Sequence, residues 1–185
     1  EGYADMIQKG IGGKVVRFHV LANSDSEADQ TLKLAVRDRV LQEYGDLLET
    51  CTSKEETLAA LKNAQQEISE TAEAEVLAQG YTYPVRVSLV REEFPFKKYG
   101  DLIFPAGVYD ALRIEIGEAK GKNWWCVLYP QMCYVDAAWG YSTEESHVRL
   151  QNTLTKEEFL VVSAMEQKKV APKIKCRLVE LWSER

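Results

Sequence analysis

No stretch of this chain approaches the ~18 consecutive apolar residues of a membrane-spanning helix, so nothing in its 185 residues reads as a span. Clustered positive charge is missing too. With 23 basic against 29 acidic residues the net charge is −6, which argues against nucleic acid as a partner, because phosphate binding depends on concentrated Lys and Arg. The four cysteines, Cys51, Cys126, Cys133 and Cys176, form no CxxC, so the spacing typical of structural zinc and thioredoxin-like redox sites is absent. There is no internal repeat and no low-complexity segment. At 45% hydrophobic, the chain can bury a full core without depending on disulfides.

What is present reads as one α+β domain. Residues 1–13 are expected to be a flexible N-terminal lead, and residues 14–185 the domain. The chain opens on Glu1, so an initiator and any export segment are expected to have been removed. "KVVRFHVLA" (14–22) is rich in β-branched residues and predicts a buried or half-buried strand. Ser24 and Glu27 stand three apart, as a capping box requires. Leu32, Val36, Val40 and Tyr44 then repeat every four residues, widened by Leu34 and Leu41. This predicts a helix over 25–44 closed by Gly45. Ser53 with Glu56 opens a longer helix, 54–79, with a buried stripe of Leu58, Leu61, Ile68, Ala72 and Val76, ended by Gly80.

From residue 81 the period changes from helix to strand. "YPVRVSLV", "YDALRIEIG" and "NWWCVLYP" predict strands. The Pro- and Gly-containing connection "REEFPFKKYGDLIFPAG" predicts an ordered loop with a short edge strand around 101–104. Thr155 with Glu158 starts a helix of 156–168 within the C-terminal part, 155–185. The tail "KIKCRLVELW" suits a returning strand or a short helix. Together, a helical part (25–80), a mainly β part (81–140) and a C-terminal helix and tail predict an antiparallel sheet with helices packed on one face.

The chemistry-bearing residues are few. Cys126 and Cys133 either form a disulfide or pack as two small buried thiols. A tight hairpin centred on Pro130-Gln131 would hold them too far apart, whereas a wider loop would let them meet. A metal site would have to gather His19, Cys126, Cys133 and His147 from distant positions. A thiol hydrolase would use Cys126 with His19 or His147 as base, yet no glycine elbow or helix start exposes Cys126. Asp25, Glu27 and Asp29 alternate, but the glycine and distal Glu of a calcium loop are missing, so helix capping accounts for them. Trp124 and Trp125 must point to opposite faces of their strand, so one joins the core and the other lies under cover or on an interaction surface.

Two long stretches carry a resemblance. "RFHVLANSDSEADQTLKLAVRDRVL" (17–41) resembles the opening block of the stage II sporulation protein R family of endospore-forming bacteria. "FPFKKYGDLIFPAGVYDALRIEIGEAKGKNWWCVLYPQMCYVD" (94–136) is similar to its second block, with ANSDS, YGD, PAG and GKNWWC as the specific elements. The resemblance implies a protein exported from the forespore into the space between forespore and mother cell. There it would activate a membrane-embedded aspartic protease that cleaves the precursor of sigma-E. It implies an activator without catalytic residues or cofactor. It also strengthens the disulfide reading of Cys126 and Cys133. The hydrophobic export segment expected of that family does not precede Glu1, so a trimmed form is expected. Asn23, Asp25, Tyr99 and Trp124 are the residues expected to meet the partner. The competing expectation is a thiol- or zinc-dependent hydrolase acting on the cell wall.

Overall fold

The structure, a computed structural model, describes residues 2–133 and 144–163. Helix α1 (Tyr3–Gly12) leads into strand β1 (Val16–Leu21), which feeds three helices, α2 (Glu27–Glu49), α3 (Lys54–Asn63) and α4 (Gln65–Ala78). Then come β2 (Val85–Phe94), a hairpin of β3 (Lys97–Tyr99) and β4 (Leu102–Phe104), β5 (Gly107–Ile116), β6 (Asn123–Tyr129), α5 (Glu144–Thr153) and α6 (Lys156–Ser163). The expected tail at 173–182, Cys176 and the end of the last helix lie outside the described residues.

The class is α+β, as the periodicities predict. The sheet is mixed, however, where an antiparallel one is expected. Its order is β2-β5-β1-β6, with β1 parallel to β5 and antiparallel to β6. Connectivity explains this. The three-helix excursion returns as β2, β5 reverses against it, and β6 reverses again, so β5 ends up running with β1.

Both faces of the sheet are covered, where helices on one face are expected. Val16, Phe18 and Val20 of β1, with Leu112, Ile114 and Ile116 of β5 and Cys126 and Leu128 of β6, point toward α2, α3 and α4. The alternate residues Tyr109, Ala111 and Val127 point the other way. They meet Ile7 and Ile11 of α1, Leu102 and Phe104 of the hairpin, Leu150 of α5 and Val162 of α6. The expected flexible lead is therefore helix α1, held because Ile7 and Ile11 are buried. Lys54 closes its end, donating to the Gly12 carbonyl at 2.8 Å while pairing with Asp110 at 2.6 Å.

Local boundaries follow their caps. Ser26 rather than Ser24 caps α2, accepting the Asp29 amide at 3.1 Å. Gly45 does not end α2; it is a buried residue inside the helix, approached by Gln131 Nε2 at 3.4 Å from its carbonyl. Leu34, expected in the buried stripe, is exposed. Ser53 accepts from Glu56 as expected, but the long helix breaks at Ala64. Gly80, at φ 84°, does close α4 in the left-handed conformation, with Tyr81 N–H bonded to the Val76 carbonyl and Gly80 N–H to Leu77. Thr155 and Glu158 cap α6 reciprocally. The 95–106 connection is a two-stranded hairpin separate from the main sheet, and the short strand expected around 101–104 is Leu102–Phe104, with all three residues buried.

Just beyond β6 the chain turns back, and Cys126 and Cys133 are joined as a disulfide, with Cα atoms 5.3 Å apart. No tight hairpin forms: the Met132 N–H returns to the Val127 carbonyl at 3.0 Å, the wider loop that lets the sulfurs meet. Cross-linking residues seven apart removes loop-closure entropy from the unfolded chain. Replacing both cysteines by alanine is expected to lower unfolding free energy by about 2–3 kcal/mol. Urea titrations of the two proteins check this, and coincident curves would mean the bridge contributes nothing.

Candidate functional site

Among the described residues strand β6 lies at one edge of the sheet, and its two tryptophans are dressed alike on opposite faces. Trp124 packs edge-on against Phe18 (5.7 Å between centroids) on the helix side, with the Arg37 guanidinium 4.7 Å from its ring. Trp125 stacks on His19 (4.8 Å, 16°) and meets Phe94 edge-on at 4.9 Å, with the Lys97 ammonium 4.9 Å from its ring. Each indole is half-buried and carries a cation, an arrangement worth roughly 0.5–2 kcal/mol per pair.

The start of β6 is fixed by a clamp between two turns. Asn23 Oδ1 accepts the Glu118 amide at 2.9 Å, and Asp25 Oδ1 accepts the Lys122 amide at 2.7 Å. The Gly121 amide donates to the Ala22 carbonyl at 2.9 Å. Lys33 reaches across to the Lys122 carbonyl at 3.0 Å. Behind this, Asp29 accepts from Asn23 Nδ2 at 2.8 Å and from the Ser24 hydroxyl at 2.5 Å. Those hydrogen bonds hold its carboxyl below the usual carboxylate range. Two glycines make the approach possible. Gly117 adopts φ 61° against the Asn23 side chain, and a Cβ on Gly121 would meet the Ser24 carbonyl oxygen. Asn23 and Asp25, expected as contact residues, are thus the clamp's acceptors, although Asp25 remains exposed.

The other face of β1 is more unusual. Arg17 is fully buried, and its guanidinium lies 4.7 Å from the Phe94 ring, 5.0 Å from Tyr109, 5.2 Å from Phe104 and 5.7 Å from Tyr99. Its Nε donates to the Cys126 carbonyl (3.3 Å) and Nη2 to the Tyr99 hydroxyl (2.8 Å), while Nη1 is buried without a hydrogen bond. Two residues on, His19 is buried beside Arg113 of β5, its register partner. Its Nε2 lies 2.6 Å from Glu92 Oε1, without the alignment of a hydrogen bond. Burial, with the charges of Arg113 and Arg17, lowers the His19 pKa to about 4 against the pull of Glu115. The imidazole is therefore neutral, and the Glu92 charge is already engaged by Arg113 at 3.0 Å.

The alternative site sets come apart in this arrangement. His19 and Cys126 point to opposite faces, Cys126 and Cys133 are bonded to each other, and His147 sits on α5 beside Asp101 at 2.9 Å. Neither the four-residue metal set nor a Cys126–histidine pair is assembled. Among the described residues no group of three or more His, Cys, Asp or Glu is placed to hold a metal ion, and no helix is long and apolar enough to cross a membrane. Tyr99 and Trp124 lie on opposite faces of the sheet, so the four expected contact residues form two patches rather than one. Sequence reasoning missed Arg17 altogether. The signal was there, since "VRFHV" places two polar side chains at alternate positions of a strand that reads as buried.

The profile of the family described as stage II sporulation protein R matches residues 12–139. The chain belongs to this family. Stage II sporulation protein R of Bacillus subtilis (strain 168) is 32% identical over 184 aligned residues, covering 94% of this chain and 82% of the relative. No solved structure matches the chain. The family match takes in β1 to β6, and so the clamp, both tryptophans and the Arg17 box.

Two outcomes test this geometry. As pH falls, the unfolded histidine protonates near 6.5 but the folded one only near 4, so stability is full above ~pH 6.5 and drains away toward pH 4. The His19 contribution between about pH 7 and pH 5 is about 2 kcal/mol. Unfolding free energies of wild type and His19→Gln at the two pH values should differ in slope by that amount, and equal slopes would mean an ordinary histidine. Gly121→Ala is expected to destabilise by about 1–3 kcal/mol, because the clash is with backbone that cannot rotate away. An unchanged melting temperature would show that the clamp tolerates displacement.

Proposed function

We propose that this protein is an exported sporulation signal that activates a membrane-embedded aspartic protease. It acts in the space between forespore and mother cell, and its activation leads to cleavage of the sigma-E precursor in the mother cell. It binds and activates, while the protease supplies the chemistry. Membership of the stage II sporulation protein R family carries this reading. The Cys126–Cys133 bridge agrees with export, because disulfides persist in oxidising compartments. Sporulation itself is the family's named process.

The recognition surface is the tryptophan edge. On the helix-side face is Trp124, two residues on from the Lys122 amide that exposed Asp25 holds, and on the other face are half-buried Trp125, with Lys97 over its ring, and Tyr99, bonded to Arg17. Half-buried tryptophans flanked by cations suit a partner contact, since such rings supply large apolar area with a polar rim. Sporulating cells lacking their own copy and supplied with Asp25→Lys or Trp124→Ala provide the test. Protein exported and folded like wild type is expected to lose about tenfold or more of precursor processing, the effect of a contact worth upward of ~1.4 kcal/mol. Full processing by both folded variants would place the contact elsewhere.

A further inference from the structure

Arg17 is charged at every physiological pH, and taking such a charge out of water costs several kcal/mol unless an anion or a full set of acceptors replaces the solvent. Neither is present. No ion pair joins Arg17 to a carboxylate among the described residues; its donors reach the Cys126 carbonyl and the Tyr99 hydroxyl, the Tyr109 hydroxyl stands close by, and Nη1 has no aligned hydrogen bond. Aromatic faces on several sides offset only part of the cost. Lys97, half-buried, is a second cation of this region. Its ammonium rests on Trp125, again without a carboxylate among the described residues, and Trp125 is packed edge-on against Phe94, the ring nearest Arg17. Burial and the Arg17 charge push Lys97 below its ordinary pKa, as expected of two cations that share an uncompensated region. The chain's net charge of −6 makes this unneutralised pair more pointed, because acidic side chains are in surplus elsewhere.

The guanidinium's orientation says what would complete the site. Nε is committed to the Cys126 carbonyl deep in the sheet, which leaves the Nη1–Nη2 end for a second partner. That end matches the two oxygens of a carboxylate. The Tyr99 hydroxyl occupies the place of one oxygen, and the place of the other, at Nη1, has no partner. Tyr99 is half-buried and belongs to a hairpin that makes no ladder with the main sheet, and its side chain would have to turn aside for a partner to reach the guanidinium.

We infer that Arg17 and Lys97 form a carboxylate-binding site, gated by Tyr99, that accepts an Asp, Glu or C-terminal carboxylate from a partner polypeptide. The carboxylate displaces the Tyr99 hydroxyl, bridges Nη1 and Nη2, and brings its charge beside the Lys97 ammonium. This goes beyond the signalling reading and does not depend on it.

The purified protein can be titrated with N-acetylphenylalanine, which carries a terminal carboxylate, and with N-acetylglutamic acid α-amide, which carries a side-chain one. N-acetylphenylalaninamide and inorganic phosphate serve as comparisons, with the Trp125 indole and Arg17 Nε resonances as readout. One or both carboxylates are expected to shift these resonances while the amide does not, and which of them binds identifies the source. Lys97→Met should weaken binding about tenfold, the loss of one charge-assisted contact. Tyr99→Phe should strengthen it, because the competing hydroxyl is gone while the ring remains, a gain that a purely structural tyrosine would not produce. Arg17→Met should abolish binding; if that variant does not fold, Lys97→Met and Tyr99→Phe decide the matter. Phosphate binding in place of the carboxylates, or no carboxylate response in either wild type or Tyr99→Phe, would overturn the assignment.

Discussion

The burial of a guanidinium on an inner strand is the constraint around which the second layer of this protein is built. β1 lies between two strands and is covered on both faces, so Arg17 and His19 cannot reach water. Each is accommodated by what surrounds it. His19 gives up its charge and stacks on Trp125. A guanidinium keeps its charge in proteins, and Arg17 takes aromatic faces from four elements of the fold. The hairpin of β3 and β4 has no backbone ladder to the main sheet, and it docks through buried Leu102 and Phe104, with Phe104 and Tyr99 also meeting that cation. Glu92 and Arg113 neutralise each other beside it, which leaves the net positive charge with Arg17 and Lys97.

The elements that carry the family resemblance turn out to face one another. ANSDS supplies Asn23, Ser24 and Asp25 to one side of the clamp. Gly117, Gly121 and Lys122, just ahead of the tryptophans, form the other. YGD places Tyr99 on Arg17 and Asp101 beside His147. In PAG, the Pro105 carbonyl accepts the Tyr109 hydroxyl at 2.7 Å, and Gly107 leaves room for the Gln8 side chain of α1. Residues that look like a recognition code in one dimension are, in three, largely the means by which turns and strands hold one another. The recognition proposed above falls to what those contacts leave showing, namely the half-buried indoles, Asp25 and Tyr99.

Much of this was legible before any coordinates. Alternating Val85, Val87 and Leu89 announced β2, and the Ser53 and Thr155 caps located two helix starts, because these signals are local. Gly45 misled, since glycine also occurs inside helices, and here it lies buried within α2 with its carbonyl accepting from Gln131 Nε2. The parallel pairing of β1 with β5 joins residues almost a hundred positions apart and leaves no mark on either strand's pattern. Helix α1 was hidden for a related reason: its two buried isoleucines have meaning only against a sheet face that the sequence does not display. The cage of Arg17 draws on β2, β3, β4 and β5, so no single window could reveal it.

An edge strand is ordinarily the place where a folded chain begins to peel. β6 is held at both ends. At its start the Lys122 amide is bonded into the clamp, and at its finish the disulfide closes the following loop while the Tyr129 hydroxyl bonds to the Thr52 carbonyl at 2.7 Å. A peptidase must draw an extended segment into its own cleft, which requires local opening of the strand. With neither end free to lift, opening β6 means dismantling much of the sheet at once. The segment that displays both tryptophans is therefore held against local opening, a useful property in the exported signal proposed above.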